Sequence, residues 1–338
     1  MTGIRTSAVF RPETSYGVAG SGDWQRLPTG LSVDYSPSNN IKTYNEIGNK
    51  FFDNAVADRY TCGFTMRFKL DYKCIAILGA VFENVTFSNG TYTFTKSNSA
   101  RVKSFELRYK KLNRIVGGNK DQTIHLKGCY VTSFSFSQNS GATLDATVSG
   151  NCIMDSTDYS NLTETDWNDF YEDDDDVCVP IEWACVAIGD DPVAYTESVT
   201  FGINNNAENV LGCGSRFSQN YMEKNSNITF STSCYSVNPE YYQQRMYSGG
   251  MDATHTQPMT KGLRPIPVMK IRSFYDADED NTNEYTSTIT LNHVYINSMG
   301  TISFDAGRKI VDSPSMLVQG FSFEIKNGDA QNQMSIWN

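Results

Sequence analysis

The chain has 338 residues, 39% hydrophobic and 12% aromatic, with 28 basic and 38 acidic side chains for a formal net charge of −10. This length suggests two domains, and the apolar content suffices for real cores. The longest apolar run, Cys74 to Phe82, is far short of the ~20 residues a membrane-spanning helix needs, and Met1 to Phe10 lacks an apolar signal-peptide core, so no membrane partner and a cytoplasmic place of synthesis are expected. The sequons at Asn84, Asn89, Asn161 and Asn227 then carry no glycosylation message.

Residues 1–30 read as an N-terminal arm, because Thr14 to Gly22 is too rich in Gly and small residues for a core strand. Trp24 to Pro28 leads into a first strand in which Leu31, Val33 and Tyr35 alternate with polar residues. Ser36 to Tyr60 is a long excursion with turn chemistry at Pro37-Ser38-Asn39-Asn40 and Asp53-Asn54. The chain returns through Phe64, Met66, Phe68 and Leu70, all expected on one face. A short helix is expected over Tyr72 to Leu78, then a hairpin of Val85 to Phe94 turning at Asn89-Gly90. Val102 to Tyr109 alternates again, and Ile124–Phe136 with Val148–Met154 closes the unit.

This pattern occurs twice. From Val33/Val199 to Phe64/Phe230 the offset is constant at 199 − 33 = 166. Ser198-Val199-Thr200-Phe201, Asn205-Asn206, Gly214-Ser215-Arg216-Phe217 and Ile228-Thr229-Phe230 answer the first copy's strand, turn, loop and return strand. Asn238-Pro239 begins a helix expected over Glu240 to Tyr247, Val268 to Tyr275 answers Val102 to Tyr109, and Ile289–Phe304 with Leu317–Lys326 closes the second copy. Val148-Ser149-Gly150 matches Val318-Gln319-Gly320 at 318 − 148 = 170, which implies a short insertion. The expected class is mainly β: two tandem antiparallel sandwich or barrel domains, each with one flanking short helix. They span residues 31–154 and 177–326, joined by an acidic connector, 155–176, and followed by a polar tail, 327–338.

Charge divides along the same lines. Residues 1–154 carry 18 basic and 11 acidic side chains, 18 − 11 = +7; residues 177–338 carry 10 and 17, 10 − 17 = −7; the connector holds ten carboxylates and no Lys or Arg. A block such as Glu172 to Asp176 self-repels and stays solvated, although it has the composition to gather cations.

No catalytic constellation is present. His125, His255 and His293 are scattered, and neither a nucleophile elbow nor a phosphate-cradling loop occurs. The eight cysteines contain no Cys-x-x-Cys pair, so no metal site or cofactor is expected and most thiols read as small core hydrophobes. Asp276-x-Asp278-x-Asp280 resembles the start of a calcium loop but has Asn281 where the loop Gly belongs and Ser287 where the closing Glu belongs. Arg101, Lys103, Arg108, Lys110, Lys111 and Arg114 form a basic stretch without the interleaved aromatics of a single-strand binder.

Glu13-Thr14-Ser15-Tyr16-Gly17, Trp24 to Pro28, and the strand–long loop–strand of 31–70 followed by a short helix resemble the tail tube proteins of tailed viruses. The resemblance covers most of the chain and rests on order and shape more than on single motifs. It implies a structural virion protein of the tail, not an enzyme. Such proteins form β-sandwich rings that stack into a tube, meet terminator, tape measure and baseplate proteins and any sheath, and let double-stranded DNA pass without specific binding. It further implies ring-stacking loops, with Pro37, Asn39, Asn40, Tyr44, Lys50, Phe51, Asn205, Asn206, Arg216 and Phe217 as candidates. Inter-ring arms would carry Tyr16, Trp24 and Trp337. Single-domain members need six chains per ring, so a duplicated chain would need three. The alternatives are another baseplate or tail ring component, or a tandem carbohydrate-binding β-sandwich with Tyr241-Tyr242 or Trp167 as sugar platforms.

Overall fold

Thr61–Lys69 shows why the chain forms sheet: Cys62, Phe64, Met66 and Phe68 are buried while Thr61 and Arg67 face solvent, the period-two pattern of a half-buried strand. The computed structural model describes residues 8–27, 32–44, 47, 51, 54–70, 75–96, 102–115, 118–139, 144–158, 185–188, 191–213, 215–236, 266–275, 285–298 and 315–326. In chain order these hold β1 (Ala8–Pro12), β2 (Gln25–Arg26), β3 (Ser32–Ser38), β4 (Ile41–Tyr44), β5 (Asn54–Ala57) and β6 (Thr61–Lys69). A 3-10 turn (Ala76–Ala80) precedes β7 (Asn84–Ser88), β8 (Thr91–Thr95), β9 (Phe105–Ile115), β10 (Gly118–Asn139), β11 (Asp145–Cys152) and β12 (Met154–Asp158). The second half supplies β13 (Cys185–Ile188), β14 (Asp191–Asn204), β15 (Glu208–Leu211), β16 (Ser218–Met222), β17 (Asn227–Ser236), β18 (Ile266–Tyr275), β19 (Tyr285–Ser298) and β20 (Ser315–Lys326). The mainly-β expectation holds.

In the second half β14, β13, β18, β19, β20 and β17 pair in turn, all antiparallel, and β17 returns to β14, so the pairings close into a barrel. The first half repeats the order with β1, β9, β10, β11, β6 and β3. Here β2 and β3 take the places of the two ends of β14: Val9 faces Arg26 as Ala187 faces Pro192, with 192 − 26 = 166. Part of the stretch expected as an arm is therefore sheet. Ala8, Val9 and Phe10 are buried, and the Gly-rich residues form the loop between β1 and β2.

The two halves also share register. Phe64 faces Gly150, which faces Val131; Phe230 faces Met316, which faces Ile296. The offsets are 230 − 64 = 166, 316 − 150 = 166 and 296 − 131 = 165. The register slips between Val131 and Ser133, and again between Ile296 and Ser298. Met316, not Gly320, therefore stands in the place of Gly150, and the insertion inferred from the Val-x-Gly likeness is not needed. A three-residue likeness carries no register, whereas each ladder contact does.

Of the expected helices, the first is a 3-10 turn over Ala76–Ala80, wholly buried, and the second lies outside the described residues. The Asn89-Gly90 hairpin is as expected, with φ of 49° and 73°. Its strand β8 pairs β7 along one edge, and its other edge crosses to the second half. It lies along β20 with Phe94 opposite Phe323. Likewise β10 pairs β14 across the halves, Phe136 opposite Phe201 with rings stacked at 5.0 Å. Phe82 meets Phe321 at 5.5 Å, so an aromatic seam joins both halves in one core.

Candidate assembly surface

One turn geometry, repeated in both halves, frames the surface. In the first half Asn40 (φ 45°) donates Nδ2–H to the Arg59 carbonyl at 2.8 Å, and its N–H reaches Ser38 Oγ at 3.3 Å. In the second half Asn206 (φ 46°) donates to the Asn225 carbonyl at 2.7 Å, and its N–H reaches Asn204 Oδ1 at 2.9 Å. Asn tolerates the left-handed region and satisfies its own turn, which is why it recurs at this spot. Each loop then carries a small separate hairpin, β4–β5 or β15–β16. Each hairpin holds an ion pair in the same place with the signs exchanged: Lys42–Asp58 at 2.7 Å and Glu208–Lys224 at 2.5 Å.

The second hairpin packs on the first half. Tyr221 stacks on Tyr130 at 4.5 Å and 9°, and Tyr16 meets both rings edge-on at 5.1 and 6.1 Å. Tyr221 donates its hydroxyl to the Val102 carbonyl, and Tyr130 donates to Asn209 Oδ1 at 2.9 Å. Asn205 is buried; its Nδ2 donates to the Val131 carbonyl at 3.2 Å while its Oδ1 accepts from Lys96 Nζ at 2.5 Å, which also binds Glu83. At the tip, Arg216 donates Nε–H to the Asp58 carbonyl at 2.9 Å and a guanidinium N–H to Asn39 Oδ1 at 3.0 Å, and Phe217 lies 5.5 Å from Tyr60. Thus Asn205, Arg216 and Phe217, expected at ring stacking, touch the other half of their own chain. Pro37 lies in β3, and Tyr44 and Phe51 are exposed, at 57% and 83%. Lys50 and Trp337 lie outside the described residues.

Around β1 the structure assembles a polar cluster that periodicity hid. Glu106, on the expected outer face of β9, is fully buried, because β1 and the loop after it cover that face. Its carboxylate accepts from Arg11 Nε at 2.9 Å, Gly20 N–H at 2.8 Å and His125 Nε2 at 2.6 Å. Burial pushes the Glu106 carboxyl up, but these three donors outweigh it and hold it below the usual range. Burial and Arg108 push His125 down to about 4, against the pull of Glu106, so it is neutral at pH 7 and donates to the carboxylate. The guanidiniums of Arg11 and Arg108 each lie over the Trp24 ring, at 4.5 and 4.3 Å. Arg108, read as part of a basic stretch, is thus engaged with the loop. Glu13 accepts from Gly17 N–H at 2.8 Å and Gly128 N–H at 2.7 Å, and burial raises its pKa. The motif Glu13 to Gly17 is a folded loop whose carboxylate ties its own turn to β10. Cys62, Cys129 and Cys152 are buried core thiols, while Cys213 is exposed.

These arrangements are ladders, aromatic stacks and charge-assisted hydrogen bonds that join sheet to sheet. The model of the phage tail tube protein family matches residues 3–260. The chain belongs to that family. No curated protein matches it. As a phage tail tube protein it is a structural component of the virion tail, made to assemble with its own kind into a tube and to meet other tail proteins. No helix among the described residues is long and apolar enough to cross a membrane.

Proposed function

We propose that three copies of this tail tube protein form a ring of six barrels, that rings stack into a tube conducting double-stranded DNA, and that the chain has no catalytic role. The observation that carries this reading is the shared register of the two halves, bulge included, because two equivalent units in one chain halve the number of chains a six-unit ring needs. The charge split supports it: alternation around the ring places a half of +7 against a half of −7 at every junction. On this reading the basic stretch Arg101 to Arg114 does not line the lumen as a block, since passing phosphates would otherwise bind and release slowly. Negative-stain microscopy with native mass spectrometry tests the reading. Rings of three chains and stacked tubes are expected, weakening as salt is raised; a chain that stays monomeric at high concentration sinks it.

A further inference from the structure

Resting on that ring reading, we propose which surfaces close the ring: the edge of β3 and the exposed β4–β5 hairpin of one copy dock on the second half of another copy. The contact repeats between chains the one the two halves make within a chain.

Within the chain, residues 198–204 of β14 pair 133–139 of β10, with Ser133 opposite Asn204. The β15–β16 hairpin then buries Ala207 and Tyr221, at 8% and 6% exposure, against the first half. Moving back by 166 gives 32–38, which is β3. It pairs β6 on one side, and no described strand pairs its other edge. An open edge invites a strand. The equivalent hairpin exposes Ile41, Tyr44, Val56 and, at its tip, Phe51. Ile41, 63% exposed, holds the place of the buried Ala207, since 207 − 166 = 41. A cluster of this kind marks an interaction site.

The receiving surface belongs to the second half. Phe217 rests by Tyr60, and the second-half counterpart of Tyr60 is Ser226, since 60 + 166 = 226. The smaller side chain leaves room where the Tyr60 ring would be. An open pocket lies next to Ser226 in the chain, lined by Asn206, Ala207, Glu208, Lys224 and Asn225. These residues correspond one for one to Asn40, Ile41, Lys42, Asp58 and Arg59, and of that set the Asp58 carbonyl holds the Arg216 tip, with Phe217 beside Tyr60. Phe51, the counterpart of Phe217 at 217 − 166 = 51, fits that pocket. Among the described residues nothing covers the hairpin or the pocket, so a second copy brings them together. The register follows from the same offsets: 204 − 166 = 38 and 133 + 165 = 298 put Ser38 of one copy opposite Ser298 of the next.

The test uses the full chain and two surface variants, Phe51→Asp at the tip and Asn225→Trp across the pocket. Each is expected to keep the wild-type melting profile and to need at least about tenfold more protein to form rings. Mixed together they retain one intact junction, the tip of Asn225→Trp in the pocket of Phe51→Asp, so a dimer that grows no further is expected. A Ser38→Cys/Ser298→Cys protein should give dimer and trimer bands under oxidation that the unmodified protein does not. If wild-type rings form while both variants assemble normally and the cysteines give only monomer, this junction is overturned and the ring reading stands; the hairpin would then serve another ring or another tail protein. A wild-type chain without rings overturns both.

Discussion

At the equivalent positions 128 and 293 the backbone turns left-handed, with φ of 62° at Gly128, beside a register shift between β9 and β10, and 50° at His293. The first is constrained from two sides. A Cβ there would lie 2.4 Å from Ile153 Cγ1, and its N–H is held by Glu13. Gly128→Ala is therefore expected to cost about 2–4 kcal/mol in denaturant unfolding, combining overpacking with a disfavoured φ. His293 is exposed, so His293→Gly relieves the φ strain at the cost of a looser unfolded chain and should change stability by less than about 1 kcal/mol. His125 gives a pH prediction. Its pKa falls from 6.5 to about 4 on folding, so the unfolded chain binds the extra proton between those values, and stability is lost as pH drops through that window. Glu106, held low, adds loss in the same direction below its ordinary 4.5. About 2 kcal/mol should disappear between pH 7 and pH 4, and His125→Gln, which keeps a donor for Glu106, should flatten the slope.

Among elements, the two loop hairpins differ in what covers them, and this sets their sensitivity. Tyr221 stacks on Tyr130 and donates to the Val102 carbonyl. Tyr221→Phe keeps the stack and leaves that carbonyl short of a donor, about 1 kcal/mol, while Tyr221→Ala should cost about 3 kcal/mol or more. Equal losses for the two would show that the hydrogen bond, not the stack, holds the hairpin. The strands themselves were legible because burial alternates along them: Phe64, Met66, Phe68 and Leu70 face the core as their spacing requires. The duplication was legible through Asn39-Asn40 and Asn205-Asn206, whose turn chemistry is local. Partnership was not. Glu106 alternates like any solvent-facing residue, and only β1 folding over it makes it core. Thr91–Thr95 reads as half of a hairpin, and nothing in its composition says that its other edge belongs to β20. The Gly-rich loop after β1 concealed a strand on either side of it, one of them only two residues long.

For the whole molecule, β10 decides how the halves respond to damage. It runs from Gly118 to Asn139, and its last third sits between β11 of the first half and β14 of the second. Ser135 faces Thr147 on one side and Gly202 on the other. The core is likewise shared, with Phe136 against Phe201 and Phe94 against Phe323. Two barrels joined by a flexible hinge would unfold separately, each with its own free energy; barrels joined by a continuous ladder and one core gain stability only together. Slowly exchanging amides in β9 and in β18 should therefore report the same free energy of opening. Ser135→Pro removes a central ladder position and should lower both by about 3 kcal/mol or more, although β18 is separated from β10 by β13 and β14. Hydrogen exchange followed by mass spectrometry decides it: if β9 loses protection while β18 keeps its own, the halves are independent folding units and the seam merely brings finished barrels together.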